Sequence, residues 1–266
     1  MFNATLYKRE MKGSLKMLII FAAIISMYVA IIISMFDPEM METLDSFYEV
    51  MPELMASVGM SAGATSLIGF MISYLYGFIL LIFPMLFCIL RGNSLIAKYA
   101  DNNSMVTLLS APIKRRTIAT TQLLVLISGV LLLIVYTSGL EIVIAEINFS
   151  GALVISELLK LNAALLCLHL FIGGVCFLAS CVFSDTKYSI ALGAGIPALM
   201  YVLQMLANAG EKAEVIKYFT FFTLFDANGV VAGESAATMG VLALLLGAIL
   251  LYTIAVTVFC KKDLHI

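Results

Sequence analysis

Residues 238–260 read TMGVLALLLGAILLYTIAVTVFC, a run without a charged side chain, bounded by Glu234 on one side and Lys261-Lys262-Asp263 on the other. Its apolar residues surround the helix rather than forming one stripe. A helix of a soluble protein buries one face and keeps the other polar; a helix apolar on all sides needs an apolar solvent. About 20 such residues, rising 1.5 Å each, cross the roughly 30 Å of hydrocarbon in a bilayer. The segment therefore reads as a membrane span.

Working outward, the same criterion finds five more spans, roughly 188–207, 158–183, 118–140, 67–90 and 17–36. Composition agrees, with 62% hydrophobic and 12% charged residues in a chain of 266, against about half and about a quarter in soluble domains. The sequence predicts an all-α integral membrane protein, a single transmembrane domain over residues 1–266 with six transmembrane helices. The first apolar run is longer than the core of a signal peptide and ends at Met35-Phe36-Asp37-Pro38 without a small-residue cleavage site, so it is read as a retained span.

The segments between spans carry the remaining information. Residues 2–16 form an expected N-terminal amphipathic interfacial helix. Lys8, Arg9, Lys12 and Lys16 share one face, suited to lipid phosphates, while Tyr7, Met11, Leu15 and Leu18 share another. Acidic residues Glu39, Glu42, Asp45, Glu49 and Glu53 mark a short outer helix broken near Pro52. Pro84 is expected to kink the second span, and Pro197 lies in the fifth. The stretch 208–236 is neither loop nor span. Its apolar run, Tyr218 to Phe225, is too short to cross and reads as a re-entrant segment before the last span.

Charge orients the helices. With the N-terminus inside, 12 of the 15 lysines and arginines fall on the inner side; only Lys160, Lys212 and Lys217 fall outside. Basic residues stay cytoplasmic in membrane proteins. Both termini are expected in the cytoplasm, in a multi-pass protein of the plasma membrane.

Most chemistry is missing. The five cysteines lie in or beside apolar segments without a Cys-x-x-Cys pair, and His169 and His265 are far apart, so neither a disulfide framework nor a metal site is indicated. His-Glu-x-x-His and Gly-x-Ser-x-Gly are absent, which argues against intramembrane hydrolysis. There is no Gly-x-x-x-x-Gly-Lys-Ser/Thr loop to cradle phosphates, so ATP, if used, belongs to another chain. Few ionisable residues fall inside the spans; His169 is the main candidate for a buried proton site, against a packing role. No nucleic-acid partner is expected.

The inner loop after the second span is the most informative segment. Asp101-Asn102-Asn103-Ser104 offers turn and N-cap chemistry, Met105, Leu108 and Leu109 give a short helix an apolar face, and Pro112 ends it before Lys114-Arg115-Arg116. A short amphipathic helix held between two spans is a docking element.

At this loop the chain resembles the permease subunits of ATP-binding-cassette (ABC) transporters of the type-2 exporter class. Leu108-Leu109-Ser110-Ala111-Pro112-Ile113-Lys114-Arg115 matches the latter half of that family's loop pattern. Tyr218-Phe219-Thr220-Phe221-Phe222-Thr223-Leu224-Phe225-Asp226 and Phe259-Cys260-Lys261-Lys262-Asp263-Leu264 match two further pieces. Asn103 stands where the family has glycine, Ser104 where it has threonine and Val106 where it often has glutamate. Asparagine tolerates the left-handed turn; loss of the acid changes the fine contacts to the ATPase.

The resemblance implies two permease copies above two cytoplasmic ATP-binding subunits, which hold ATP and Mg²⁺; the chain itself would be neither an enzyme nor a cofactor carrier. Residues 97–110 would be the coupling helix region, with Lys98, Tyr99, Asp101, Asn103, Ser104, Met105, Leu108, Leu109 and Pro112 facing or shaping the ATPase contact. Cargo-pathway candidates are Ser73, Tyr74 and Tyr76 in the second span and Tyr201 and Gln204 in the fifth. Sparse charge and 16 methionines favour an amphipathic or hydrophobic cargo, first a peptide such as a toxin or antimicrobial peptide, alternatively a lipid-like molecule or drug. A non-transporting scaffold or sensor of the same fold is the other class.

Overall fold

The computed structural model describes residues 2–37, 50–59, 66–110, 112–209 and 211–262. Those residues are helical or irregular, with no strand among them. Six helices are long and apolar enough to cross a membrane. They are α1 (Ala4–Ser34), α2 (Ile79–Leu95, which with the following turn makes the apolar segment Ile79–Asp101), α3 (Arg115–Asn148), α4 (Ile155–Val182), α5 (Thr186–Asn208) and α6 (Ser235–Lys261).

Local chemistry sets many of the boundaries. Asn3 caps α1, its side chain accepting from the Leu6 amide at 2.9 Å, and Asp185 caps α5 by accepting from Lys187 at 2.7 Å. Each satisfies one of the amides that a helix start leaves open. Inside the spans, hydroxyl groups turn back onto their own helix. Thr121, Thr137 and Ser138 donate to the carbonyls four residues earlier at 2.6–2.9 Å. This is how a polar side chain is accommodated where water is absent.

α4 is the hub, packing against α2, α3, α5 and α6. Its buried residues Leu158, Leu161, Leu165, Leu168, Ile172 and Cys176 recur every three or four positions. α1 runs along α3 and buries Leu6, Glu10, Ser14, Leu18, Phe21, Ile25, Val29 and Ile33 at the same spacing. α1, α5 and α6 keep most of their apolar side chains on the outside. Lipid is as apolar as leucine, so helices associate here by close contact rather than by exclusion of water. Gly174 lies against Leu251 and Gly247 against the ring of Phe171, bringing α4 and α6 together.

The structure differs from the sequence reading in four places. Residues 2–16 and the first span are one uninterrupted helix, and Leu15 is exposed while Glu10 and Ser14 take the buried face. The third apolar segment extends into a 34-residue helix, so Glu141, expected in a loop, is helical and buried. The second span is broken, running as Leu67–Met71, a π-helical turn at Ile72–Tyr76 and then α2. The interruption falls at Gly77-Phe78, while Pro84 sits within α2. The cause is a backbone crossing. A Cβ on Gly77 would lie 2.9 Å from the Val58 carbonyl oxygen, and Gly59 meets the Gly77 backbone with φ +81. Only glycine permits both the approach and that dihedral.

Before α6, 3-10 turns at Glu211–Phe219 and Phe221–Leu224 lead into a short helix, Ala227–Ala232, capped by Asp226 and closed by Gly233 at φ 74. Phe222 and Phe225 are buried, whereas Tyr218 and Phe219 are exposed. Of the acidic outer helix expected to break near Pro52, residues 38–49 lie outside the described residues; Val50 is helical, Met51 is not, and Pro52 begins a new helix, Pro52–Ser57, so the break falls where it was expected.

The close approach of α6 to the turn before it gives a direct test of packing. A Cβ on Gly240 would lie 2.6 Å from the Leu224 carbonyl oxygen, whereas one on Gly139 meets nothing within 4 Å. Gly240→Ala is expected to lower stability by about 1–3 kcal/mol through overpacking. Gly139→Ala is expected not to destabilise the protein, and thermal melts of the two variants in one detergent check the contrast.

Candidate functional site

Two polar assemblies stand at opposite ends of the second span. At the α1 start, Glu10 and Arg91 form a buried ion pair, Arg91 Nη2 to Glu10 Oε2 at 2.8 Å, with side chains 9% and 7% exposed. The same nitrogen donates to the Glu10 carbonyl at 2.8 Å, and Arg91 Nη1 donates to Ser94 at 3.1 Å. Tyr99 donates its hydroxyl to the other carboxylate oxygen of Glu10. One carboxylate thus ties α1 to α2 and to the helical turn Ala97–Asp101 that follows it. A hollow of about 260 Å³ adjoins the pair, walled by Arg9, Lys98, Asn102 and Ser104 among others.

The turn leads into the expected docking helix. Asn103 has φ 58, the left-handed conformation that asparagine tolerates better than most residues. Asn102 accepts from the Ser104 amide at 3.1 Å, and the helix Ser104–Ser110 follows. Met105 is buried and Leu108 packs against the core, while Val106 is exposed. Lys98, Asp101, Asn103 and Pro112 are exposed, Tyr99 and Ser104 are half-buried, and the Leu109 side chain lies outside the described residues. Lys8, Arg9, Lys12 and Lys16 are all exposed on α1, opposite Leu6, Glu10 and Ser14.

The chain is braced at this end by two more contacts. Ser180 on α4 accepts from the Ala97 amide at 2.8 Å, and Arg115 donates to the Lys262 carbonyl at 2.8 Å. Lys262 points its ammonium at the Cys181 carbonyl, 3.4 Å away, and burial lowers its pKa from the ordinary lysine value.

At the other end lies a cavity of about 380 Å³. Tyr76 and Gly77 form one wall, Tyr201, Gln204 and Asn208 of α5 another, and Phe222 to Asn228 a third. Thr220 donates to the Met200 carbonyl and Thr223 to Gln204, both at 2.9 Å, fastening the 3-10 turns to α5. The Tyr201 ring meets Phe222 edge-on at 5.4 Å, and its hydroxyl reaches the Gly77 carbonyl at 3.5 Å. The lining mixes the rings of Tyr76, Tyr201, Phe222 and Phe225 with aliphatic side chains, amides and hydroxyls, and includes Lys217 and Asp226, a lining suited to an amphipathic group. Its volume is at the small end of ligand sites, which run from roughly 300 to 1,000 Å³.

Of the five pathway residues expected from sequence, Tyr76, Tyr201 and Gln204 line this cavity. Ser73 is buried within the π-helical turn, and Tyr74 stacks on Phe70 at 4.5 Å, so neither belongs to its walls. Sequence reasoning missed the pairing of Glu10 with Arg91 and the burial of Glu141 with Asn162. A single acid among four basic residues on α1 was the available signal for the first. His169 is fully buried with its ring nitrogens 2.9 Å from the Leu165 carbonyl and 3.2 Å from that of Leu81.

No family model matches the chain, no curated protein matches its sequence and no solved structure matches its fold.

The ion pair carries a measurable expectation. Arg91→Leu strands the Glu10 carboxylate in a dry site and is expected to destabilise by about 3–5 kcal/mol. Adding Glu10→Gln removes the stranded charge and is expected to recover part of that loss, as read by thermal unfolding of both variants beside the wild type.

Proposed function

We propose that the chain is the membrane-spanning permease subunit of an ATP-driven ABC exporter that moves an amphipathic or hydrophobic cargo, first a peptide, out of the cell. The observation that carries this reading is the connected inner assembly. A short helix, Ser104–Ser110, follows a left-handed asparagine, buries Met105 and presents Val106, and is joined through Tyr99 and Glu10 to α1 and through Arg91 to α2. A push on that helix reaches the span whose other end walls the cavity. Movement of this kind needs an element with two arrangements, each favoured by different contacts. The break at Gly77-Phe78 supplies such a point in the second span.

In this reading both termini lie in the cytoplasm of a plasma-membrane protein, an orientation that the 12-to-3 division of basic residues supports. The exposed lysines and arginine of α1 rest on lipid phosphates, and residues 208–236 dip into the outer leaflet as a re-entrant segment covered by α5 and α6. Two permease copies pair, with two ATP-binding subunits beneath them carrying ATP and Mg²⁺. A cavity of about 380 Å³ holds one amphipathic group at a time, so a peptide passes by successive side chains or after the two copies part. Lipid-like molecules and drugs fit the same mixed lining.

A cysteine at Val106 tests the coupling. Val106→Cys, in the complex with its ATP-binding subunit, is expected to cross-link to that subunit with a short bifunctional reagent and to slow its ATP hydrolysis once linked. No cross-link at any position from 99 to 110 would refute docking through this helix. A complex whose hydrolysis ignores every amphipathic peptide and lipid, without cargo movement, would favour a scaffold or sensor.

A further inference from the structure

Two carboxylates are buried on the long apolar helices among the described residues: Glu10, paired with Arg91, and Glu141, fully enclosed and with no ion-pair partner. Glu141 Oε2 accepts two hydrogen bonds, from the Tyr76 hydroxyl at 3.0 Å and from Asn162 Nδ2 at 2.8 Å. Its Oε1 has no partner, and neither has Asn162 Oδ1, although Asn162 is 3% exposed. Two acceptors on a bonded pair of side chains therefore lack a donor at the same place. Leaving both unpaired in a dry site is costly, and an unpaired carboxylate there is costlier.

One proton removes both deficits. A neutral carboxylic acid and a carboxamide are complementary: the amide N–H donates to the acid carbonyl and the acid O–H donates to the amide carbonyl. The first of these bonds is present. A proton on Oε1 turns the second orphan acceptor, Asn162 Oδ1, into its partner. We infer that Glu141 is a proton-binding site, occupied in this conformation and paired with Asn162, lying directly behind the cavity whose wall is Tyr76. The inference stands on this geometry and is independent of the exporter reading.

Tyr76 links the site to the cavity. Its hydroxyl bonds the carboxyl while the residue lines the cavity wall. A hydrogen bond donated to a carboxylate favours the ionised form. An occupant that draws the Tyr76 hydroxyl away strengthens the hold on the proton, and by reciprocity the proton strengthens the hold on such an occupant. Release is the simple step, carboxylic acid to carboxylate with the proton passing to water.

The other titratable groups around α3 do not compete for this role. The helices packed against it are α1, α2, α4 and α6. α1 contributes Glu10 and α2 contributes Arg91, bonded to each other at the far end of the bundle; Cys88 lies on α2 and Tyr252 on α6. α4 contributes half-buried Glu157, exposed Lys160, half-buried Cys167, buried Cys176 and Cys181, and His169, two turns beyond Asn162.

The test uses the purified chain in detergent or lipid. Infrared spectra at neutral pH are expected to show the carbonyl band of a protonated carboxyl group that shifts on deuteration, disappears in Glu141→Gln and moves in Asn162→Leu. The wild-type melting temperature is expected to fall as pH rises above the ordinary glutamate value of about 4.3 and to level off once the native site releases its proton, because in that window the native state holds a proton that the unfolded chain has already lost. Glu141→Gln is expected to retain the fold through an amide–amide pair and to lose that component of the pH dependence. Absence of the Glu141 band at neutral pH would overturn the inference, as would a pH dependence that survives Glu141→Gln and vanishes in His169→Gln. Stabilisation of the wild type by sodium but not by potassium, lost in Glu141→Gln, would replace the proton with a metal cation.

Discussion

Two opposite charges, Glu10 and Arg91, are enclosed where α1 meets the Arg91 end of α2, and that end of the molecule is organised around keeping them satisfied. Removing ions from water costs several kcal/mol each unless the partner geometry is good and the remaining hydrogen-bonding capacity is met. Here the Glu10 backbone carbonyl, Ser94 and Tyr99 supply most of the remainder. Tyr99 adds the turn after α2 to the cluster. α1, α2 and the turn at Ala97–Asp101 are therefore held as one unit, and the helix Ser104–Ser110 hangs from it by a left-handed asparagine.

The cavity end is built on the opposite principle. Its backbone is irregular at Gly77-Phe78 and from Glu211 to Asp226, and irregular backbone is tolerated at membrane depth only when protein or a cavity satisfies it. Thr220, Thr223, Tyr201 and Asp226 perform that service with hydrogen bonds to carbonyls, side chains and a helix start. These bonds are individually modest and can be exchanged with water or with a ligand's polar groups. The molecule thus pairs a rigid Glu10–Arg91 end with a cavity end of replaceable contacts, joined by α2 and α4. Glu141 and Asn162 lie between them, close to the cavity end, where a change in the cavity reaches a titratable group through one tyrosine.

The spans were legible from sequence because one quantity, apolar length, decides them; α4, α5 and α6 begin and end within three residues of their expected limits. The turn at Asn103 and the helix after it were legible because local chemistry determines both. What escaped was set by contacts distant in sequence. The break at Gly77 depends on Gly59 crossing it, the burial of Glu10 depends on Arg91, and the helical extension to Asn148 is stabilised by Glu141 finding Tyr76 and Asn162. Glu141 looked like a loop residue because a charge after an apolar run usually marks a span's end. For the cavity, Tyr76, Tyr201 and Gln204 were identified as polar tips in apolar helices; the same rule also named Ser73 and Tyr74, which are not among the residues lining it.

In the proposed exporter, nucleotide bound by a partner ATP-binding subunit at the Glu10–Arg91 end changes the cavity at the other end. Spin labels at Glu53→Cys and Asn228→Cys, on two exposed segments beside the cavity, report that distance directly. In the complex with its ATP-binding subunit, a non-hydrolysable ATP analogue is expected to shift the interlabel distance distribution, and Arg91→Leu is expected to suppress the shift. A distribution unchanged by nucleotide in a complex that hydrolyses ATP, or purification without any ATP-hydrolysing subunit, would contradict it.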